Sequence, residues 1–320
     1  MRARRPWLRR AMRVGSWLFL LLVAWLLLRY ARGVDWPAVG EALRDYGRWQ
    51  LVLVLVLTLA SYATYACYDI AARRYSGHAL STGRVVAIAA TCYAFALSIG
   101  ALVGGAGLRL RMYARSGLPG VCTGRIVAFS IATNWLGYVA LAGVVFAAGA
   151  VVPPQAWGVG LAALRALGAA MAVLAIAYVA ACARWRGRTF HLRGHHFRLP
   201  SPALGTLQVV LAAANWSLMG TIVWVLLHGA VAWPLVLSTL LLAAVASALV
   251  HVPAGLGVIE AVFVAVLGPA GMAMAGEPEL LAALLAYRAV YYLLPLLFAV
   301  VFYLAFEARR GKSLRRATAP

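Results

Sequence analysis

Apolar runs long enough to cross a bilayer recur from one end of this chain to the other, and that property limits its fold more than any motif does. A helix of about 20 apolar residues spans a hydrocarbon core of about 30 Å. No water satisfies the backbone inside that core, so spanning segments are helices or closed barrels. The uninterrupted runs at 14–31, 51–70, 121–150, 160–182, 204–228 and 280–306 have helical length. They predict an all-α polytopic membrane protein. With 64% of residues hydrophobic and 12% charged, nothing is left for a soluble domain, and the longest polar stretch, 183–203, reads as a basic loop. The basic residues before 14–31 resemble the start of a signal peptide. No small-residue cleavage site follows them, so an uncleaved first span is expected.

Two further apolar regions, 85–108 and 235–275, are interrupted, and the interruptions resemble one another. Ala101-Leu102-Val103 followed by Ala106-Gly107-Leu108 recurs as Ala248-Leu249-Val250 followed by Ala254-Gly255-Leu256. Gly104, Gly105 and Gly107 form the candidate bend of the first copy, after Gly100, and Pro253, Gly255 and Gly257 that of the second. Charge follows each break, Arg109 and Arg111 in the first case and Glu260 in the second. Paired broken hydrophobic segments in two halves of a membrane chain point to a transport-type binding site.

Positive charge then assigns the sides, because basic loops stay cytoplasmic. Arg2 to Arg13 place the N-terminus inside, the mixed segment 32–50 falls outside, and Arg73, Arg74 and Arg84 return the chain to the cytoplasm. Arg109, Arg111, Arg115 and Arg125 stay inside only if 85–108 dips in and returns to its own side. The same logic makes 151–159 external and 183–203 cytoplasmic. It also requires 235–275 to begin and end outside, since Arg309 to Arg316 follow the last span. Each half then reads helix, helix, re-entrant hairpin, helix, with 1–155 and 156–320 as inverted repeats inside one transmembrane domain. That gives about six full spans plus two hairpins, with both termini cytoplasmic. Two short full crossings in place of each hairpin would leave every loop on the same side, so charge admits both versions.

Most acids sit near interfaces, Asp35, Glu41, Asp45, Asp69, Glu277, Glu279 and Glu307 among them, whereas Glu260 lies within Val258, Ile259, Ala261, Val262 and Phe263. An unpaired carboxylate there costs about 2.5–3.5 kcal/mol, so a partner or a wet cavity is expected. Arg288 is the candidate partner, about 13 Å down a helix from Glu279 at 1.5 Å per residue. The pair reads either as a lock on the bundle or as part of a substrate cavity. Arg109 and Arg111 read either as phosphate-binding forks beside a bend or as interfacial anchors. Asn134 and Asn215 read as helix-joining amides, and His251 as a backbone-bonded histidine. Tyr287, Tyr291 and Tyr292 could line a cavity or simply pack.

The net charge of +21 gathers at loops beside spans, which suits anionic lipid rather than nucleic acid. Cys67, Cys92, Cys122 and Cys182 show no metal or disulfide spacing. No nucleotide loop, D-x-D pair, metal spacing or Ser-His-Asp pattern is present, so no catalytic residue, metal or cofactor is assigned.

The segments G-G-A-G-L-R-L-R-M-Y-A-R-S-G-L at 104–118 and P-A-G-L-G-V-I-E at 253–260 resemble the lysylphosphatidylglycerol synthase transmembrane-region family. Its best-known member is the multiple peptide resistance factor, and the resemblance is to the flippase half. It implies a bacterial inner-membrane protein that handles lipid, with the Gly/Arg/Tyr motif, Tyr113 included, and the Pro-Gly-Glu motif in the translocating domain. The aminoacyltransferase domain of larger members is not expected here, nor is lysyl transfer. The expectation is a flippase-like transporter of phospholipid or another phosphate-headed lipid, with substrate contacts at Arg109, Arg111, Tyr113, Glu260 and Arg288. Its partners are membrane lipids, anionic phospholipid first; a partner enzyme and the oligomeric state stay open. The alternatives are an integral-membrane enzyme or enzyme subunit acting on lipid-linked substrates, and a structural accessory subunit.

Overall fold

The computed structural model describes residues 36–317, apart from 45, 187, 193–194, 251–252 and 272–275, and a few positions between 21 and 32. The expected first span therefore lies almost wholly outside the described residues, as do Asp35, Asp45 and His251. Among the described residues, seven helices are long and apolar enough to cross a membrane.

Helix α1 (Trp36–Arg44) occupies the segment expected outside, and α2 (Arg48–Ser76) follows it. The first interrupted region is α3 (Thr82–Ile99), a π-helical turn π1 (Ala101–Gly107) and α4 (Leu108–Arg115). Next come α5 (Gly120–Ala147), α6 (Leu161–Arg184) and α7 (Pro202–Leu226). The second interrupted region is α8 (Trp233–Val250), a tight turn Pro253–Gly255 and α9 (Val258–Gly271). A last bent helix contains α10 (Gly276–Tyr287), a π-helical turn π2 (Arg288–Leu293) and α11 (Leu294–Ala317).

Helices α2 and α7 pack together at the centre, and α5 lies against α6 and α7. Small residues make these approaches close. A Cβ at Gly137 would strike Ala212, and one at Gly143 would strike the backbone of Ala172. Apolar side chains gain little by leaving lipid, so tight backbone packing does the joining. Ser201 starts α7 as its cap, accepting from the Leu204 N–H, with Pro202 at the first helical position.

Both interrupted regions double back on themselves. At Gly100 the backbone takes φ +101 and ψ 152, a conformation open essentially to glycine alone. The chain then returns along α3 so closely that a Cβ on Gly104 would collide with the Phe95 carbonyl. Further down the return arm, Met112 Sδ lies 3.9 Å from Cys92 Sγ. The second reversal uses positive φ at Ala254, Gly255 and Gly257, and α9 then packs against α8. The outbound arms α3 and α8 have 18 residues each, about 27 Å at 1.5 Å per residue. The turn Pro253–Gly255 packs on α3, so the two hairpins meet.

Two local features differ from the sequence reading. The stretch 183–203, expected as a loop, holds an antiparallel strand pair, Thr189–Leu192 with His195–Arg198, with the backbone of Phe190 in register with that of Phe197. Its four-residue strands were too short for a period-two pattern to stand out from a polar loop. The Tyr75 hydroxyl donates to the Arg198 carbonyl at 2.6 Å and fastens this hairpin to the end of α2. The last span, expected as one regular helix, widens at π2, a distortion that hydrophobic periodicity does not reveal.

Candidate functional site

Helix α4 carries its charges on two faces. Arg109 and Tyr113, one turn apart, both reach Asp69 on α2. Arg109 Nε donates to Asp69 Oδ2 at 3.2 Å, and the Tyr113 hydroxyl donates to the same oxygen at 2.8 Å. Ser130 on α5 donates to Oδ1 at 2.5 Å. Asp69 is fully buried and Arg109 nearly so, which makes this a desolvated charge pair with its remaining lone pairs satisfied. Arg111 and Arg115, also one turn apart, both pair with Glu307 on α11, with the Arg111 Nε at 3.2 Å. The return arm of the first hairpin is therefore pinned on one side to α2 and on the other to the final helix.

The second bend is pinned from outside the hairpin. Arg288, at the start of π2, donates to Glu260 through Nε at 2.6 Å and Nη2 at 2.9 Å. Its Nη1 donates to the Ala254 carbonyl at 2.9 Å, and Nη2 also to the Gly255 carbonyl at 3.1 Å. Glu260 accepts in addition from the Gly257 N–H at 3.0 Å, closing the first turn of α9. Carbonyls of a non-helical turn away from water need donors, and this arginine supplies two of them. The Glu260 side chain retains 21% exposure against 5% for Arg288, so the carboxylate is the open member of the pair.

Between the two ion pairs lies a column of tyrosines. Arg109 Nη2 donates to the Tyr65 hydroxyl at 3.4 Å, and the Tyr65 ring stacks on Tyr93 at 3.7 Å. Tyr291 stacks on Tyr287 at 5.2 Å, and the Arg288 guanidinium sits 5.9 Å over Tyr292. The column is joined by a closed ring of four polar groups from α2, α7, α3 and π2. Ser61 donates to Asn215 Oδ1 at 2.7 Å, and Asn215 Nδ2 donates to the Tyr93 hydroxyl at 3.1 Å. Tyr93 lies 2.7 Å from the Tyr291 hydroxyl, which lies 2.6 Å from Ser61. With Tyr93 donating to Tyr291 and Tyr291 to Ser61, every member both gives and receives one bond.

The structure thus joins Glu260 to Arg288, and it brings Arg109 and Tyr113 to one acid and Arg111 to another. It does not bring Glu260 or Arg288 beside Arg109. Asp69, read from the sequence as interfacial, is the more deeply buried acid, and Glu260 is the less buried one. Its signal was present in the spacing R-x-R-x-Y-x-R of 109–115, which puts Arg109 and Tyr113 on one face and Arg111 and Arg115 on another. Asn215 joins helices, as expected. Among the described residues no group of three or more His, Cys, Asp or Glu is placed to hold a metal ion.

These features define a polytopic α-helical membrane protein in which two broken-helix hairpins are fixed by arginine–carboxylate pairs, one fully buried and one with its carboxylate partly open. Residues 14–299 match the family described as the lysylphosphatidylglycerol synthase TM region, and the chain belongs to that family. It is 42% identical over 311 residues to the inner membrane protein YbhN of Escherichia coli K12, covering 96% of each chain. It is 28% identical over 306 residues to the uncharacterized protein slr0712 of Synechocystis, covering 95% of this chain and 93% of that one.

Proposed function

We propose that this protein is an inner-membrane lipid transporter that moves a phosphate-headed lipid between leaflets. One observation carries the reading: broken-helix hairpins from the two halves meet at the turn Pro253–Gly255 on α3, the arrangement in which transporters build midplane sites. In this reading the halves are inverted repeats, both hairpins are re-entrant and both termini are cytoplasmic. Cysteine labelling from each side tests that topology, and an external 183–203 would refute it.

Arg111, with Arg115 beside it, is the phosphate fork, because a lipid phosphate competes with Glu307 for two guanidinium groups on one face. Arg109 and Tyr113 hold the arm on Asp69 and reach lipid when that pair opens. Glu260 and Arg288 exchange partners as the halves rock. The test is reconstitution of the purified protein in liposomes with fluorescent phospholipids of differing headgroup. Protein-dependent movement that falls in Arg111→Lys with Arg115→Lys supports the fork, since lysine keeps charge without the planar geometry.

A second reading, a structural accessory subunit, is favoured by the ion pairing of Asp69, Arg109, Glu260 and Arg288. Failure to move any of the lipids would select it.

A further inference from the structure

Helices α2, α3 and α11 enclose a groove of about 350 Å³ that the ion pairs do not use and that meets the tyrosine column at Tyr62, which packs on Tyr93 and Tyr291. Its floor is small and buried, formed by Thr58, Thr91 and Ala299, with Ala90 beside them. Its rims are large and open, with Leu59 at 62% exposure and Phe298 at 67%. On α2 the lining runs from Leu55 to Tyr62 and on α11 from Leu294 to Phe302, about 10–12 Å of helix at 1.5 Å per residue. That is less than half of a hydrocarbon core of about 30 Å, the depth of one leaflet rather than of the whole bilayer.

The hydroxyls of the wall are turned to internal acceptors. Thr58 donates to the Val54 carbonyl at 2.8 Å, Thr91 to Ala87 at 2.7 Å and Tyr62 to Tyr291 at 3.2 Å. The groove therefore presents methyl and ring carbon to whatever enters it, and offers a headgroup or a row of waters nothing to bond. All three of its walls belong to helices long and apolar enough to cross a membrane, and its open rims are apolar, so hydrocarbon is the medium at its mouth. Behind Tyr62 the next residue, Ser61, belongs to the four-membered polar ring, so the groove ends against the polar centre of the bundle.

We infer that this groove seats one acyl chain of a membrane phospholipid, with Leu59 and Phe298 as its rims and Tyr62 as its inner stop. The inference rests on the lipid-transport reading for its consequence, since the bound chain belongs to the lipid being moved. A groove of about 350 Å³ and less than one leaflet's depth holds the tail, and the headgroup stays outside its apolar walls.

The test uses the full chain in nanodiscs of phosphatidylglycerol and phosphatidylcholine, with a phospholipid carrying a photoactivatable diazirine midway along one acyl chain. Peptide mass spectrometry should find adducts concentrated on the α2 and α11 linings of the groove, and few on α6, whose Val173 and Ile176 face outward. Ala90→Trp fills the floor and should abolish the groove adducts, whereas Val173→Trp on α6 should leave them. Ala299→Phe fills the same floor from α11 and serves if Ala90→Trp fails to fold. Adducts spread evenly over α6 and the groove would overturn the proposal, as would α11-to-α11 crosslinks between two copies in place of lipid adducts. Liposome transport measured on the same preparations separates the two claims. Groove labelling without lipid movement refutes the transporter and leaves the acyl seat, and movement unaffected by a filled, unlabelled groove refutes the seat alone.

Discussion

Replacing Arg288 should damage the protein more than replacing the acid it pairs with, because the arginine serves the second bend as well as the charge. Glu260→Gln removes one charge of a buried pair and leaves Arg288 on the carbonyls of Ala254 and Gly255. The expected loss is that of a broken buried pair, about 3–5 kcal/mol. Arg288→Met strands the Glu260 carboxylate and also strips both bend carbonyls of this donor, each worth about 1–3 kcal/mol when left unsatisfied. Arg288→Met should therefore lie at least about 2 kcal/mol below Glu260→Gln. The double variant removes both charges but restores neither carbonyl, so it should recover part of the loss and stop short of the wild type. Reversible unfolding in mixed micelles, followed by tryptophan fluorescence, reads all four proteins on one scale. A double variant as stable as wild type, or an Arg288→Met no worse than Glu260→Gln, would show that the arginine does not carry the bend.

Asp69→Asn should cost about 3–5 kcal/mol in the same assay, since Arg109 is left buried and charged. Glu307→Gln, whose partners Arg111 and Arg115 keep 10% and 28% exposure, should cost less than Asp69→Asn, because its charges stay closer to solvent. Gly104→Ala forces a Cβ against the Phe95 carbonyl and should destabilise by about 1–3 kcal/mol, while Gly105→Ala, meeting Ala96 Cβ at 3.3 Å, should cost less. Burial, with Arg73 nearby, holds His78 in the loop after α2 below the usual 6.5. The unfolded chain then takes up that proton first, so stability is full above about pH 6.5 and declines as pH falls below it. His78→Gln should flatten that decline in melting curves taken between about pH 7.5 and 5.5. An unchanged slope would rule His78 out as the titrating group.

Much of this was legible because lipid makes few rules and enforces them strictly. Span length, loop charge and the glycine and proline breaks are local properties, and the helices from Arg48–Ser76 to Glu279–Glu307 follow them. Glu260 is legible because its sequence neighbours Val258, Ile259, Ala261, Val262 and Phe263 cannot answer its charge, and Arg288, its partner in the fold, is the cation within the last apolar run. Asp69 does not read as a buried acid because Arg73 and Arg74 follow it closely and mimic a helix end, although α2 continues to Ser76. The ring of Ser61, Tyr93, Asn215 and Tyr291 was not legible at all. Each member is an ordinary helix residue, and only the packing of four separate helices makes them neighbours. The π-helical turn at Arg288–Leu293 was hidden for the same reason, since it answers to contacts and not to periodicity.

That ring also bears on how the chain is made. A ribosome feeds the helices into the membrane in order, so α2 and α3 arrive with Ser61 and Tyr93 long before α7 brings Asn215 and π2 brings Tyr291. Until the last helix is in place, polar groups of the early ones face hydrocarbon or whatever else will bond them. The four hydroxyl and amide groups therefore satisfy one another only once the helix that carries Tyr291 has joined the other three.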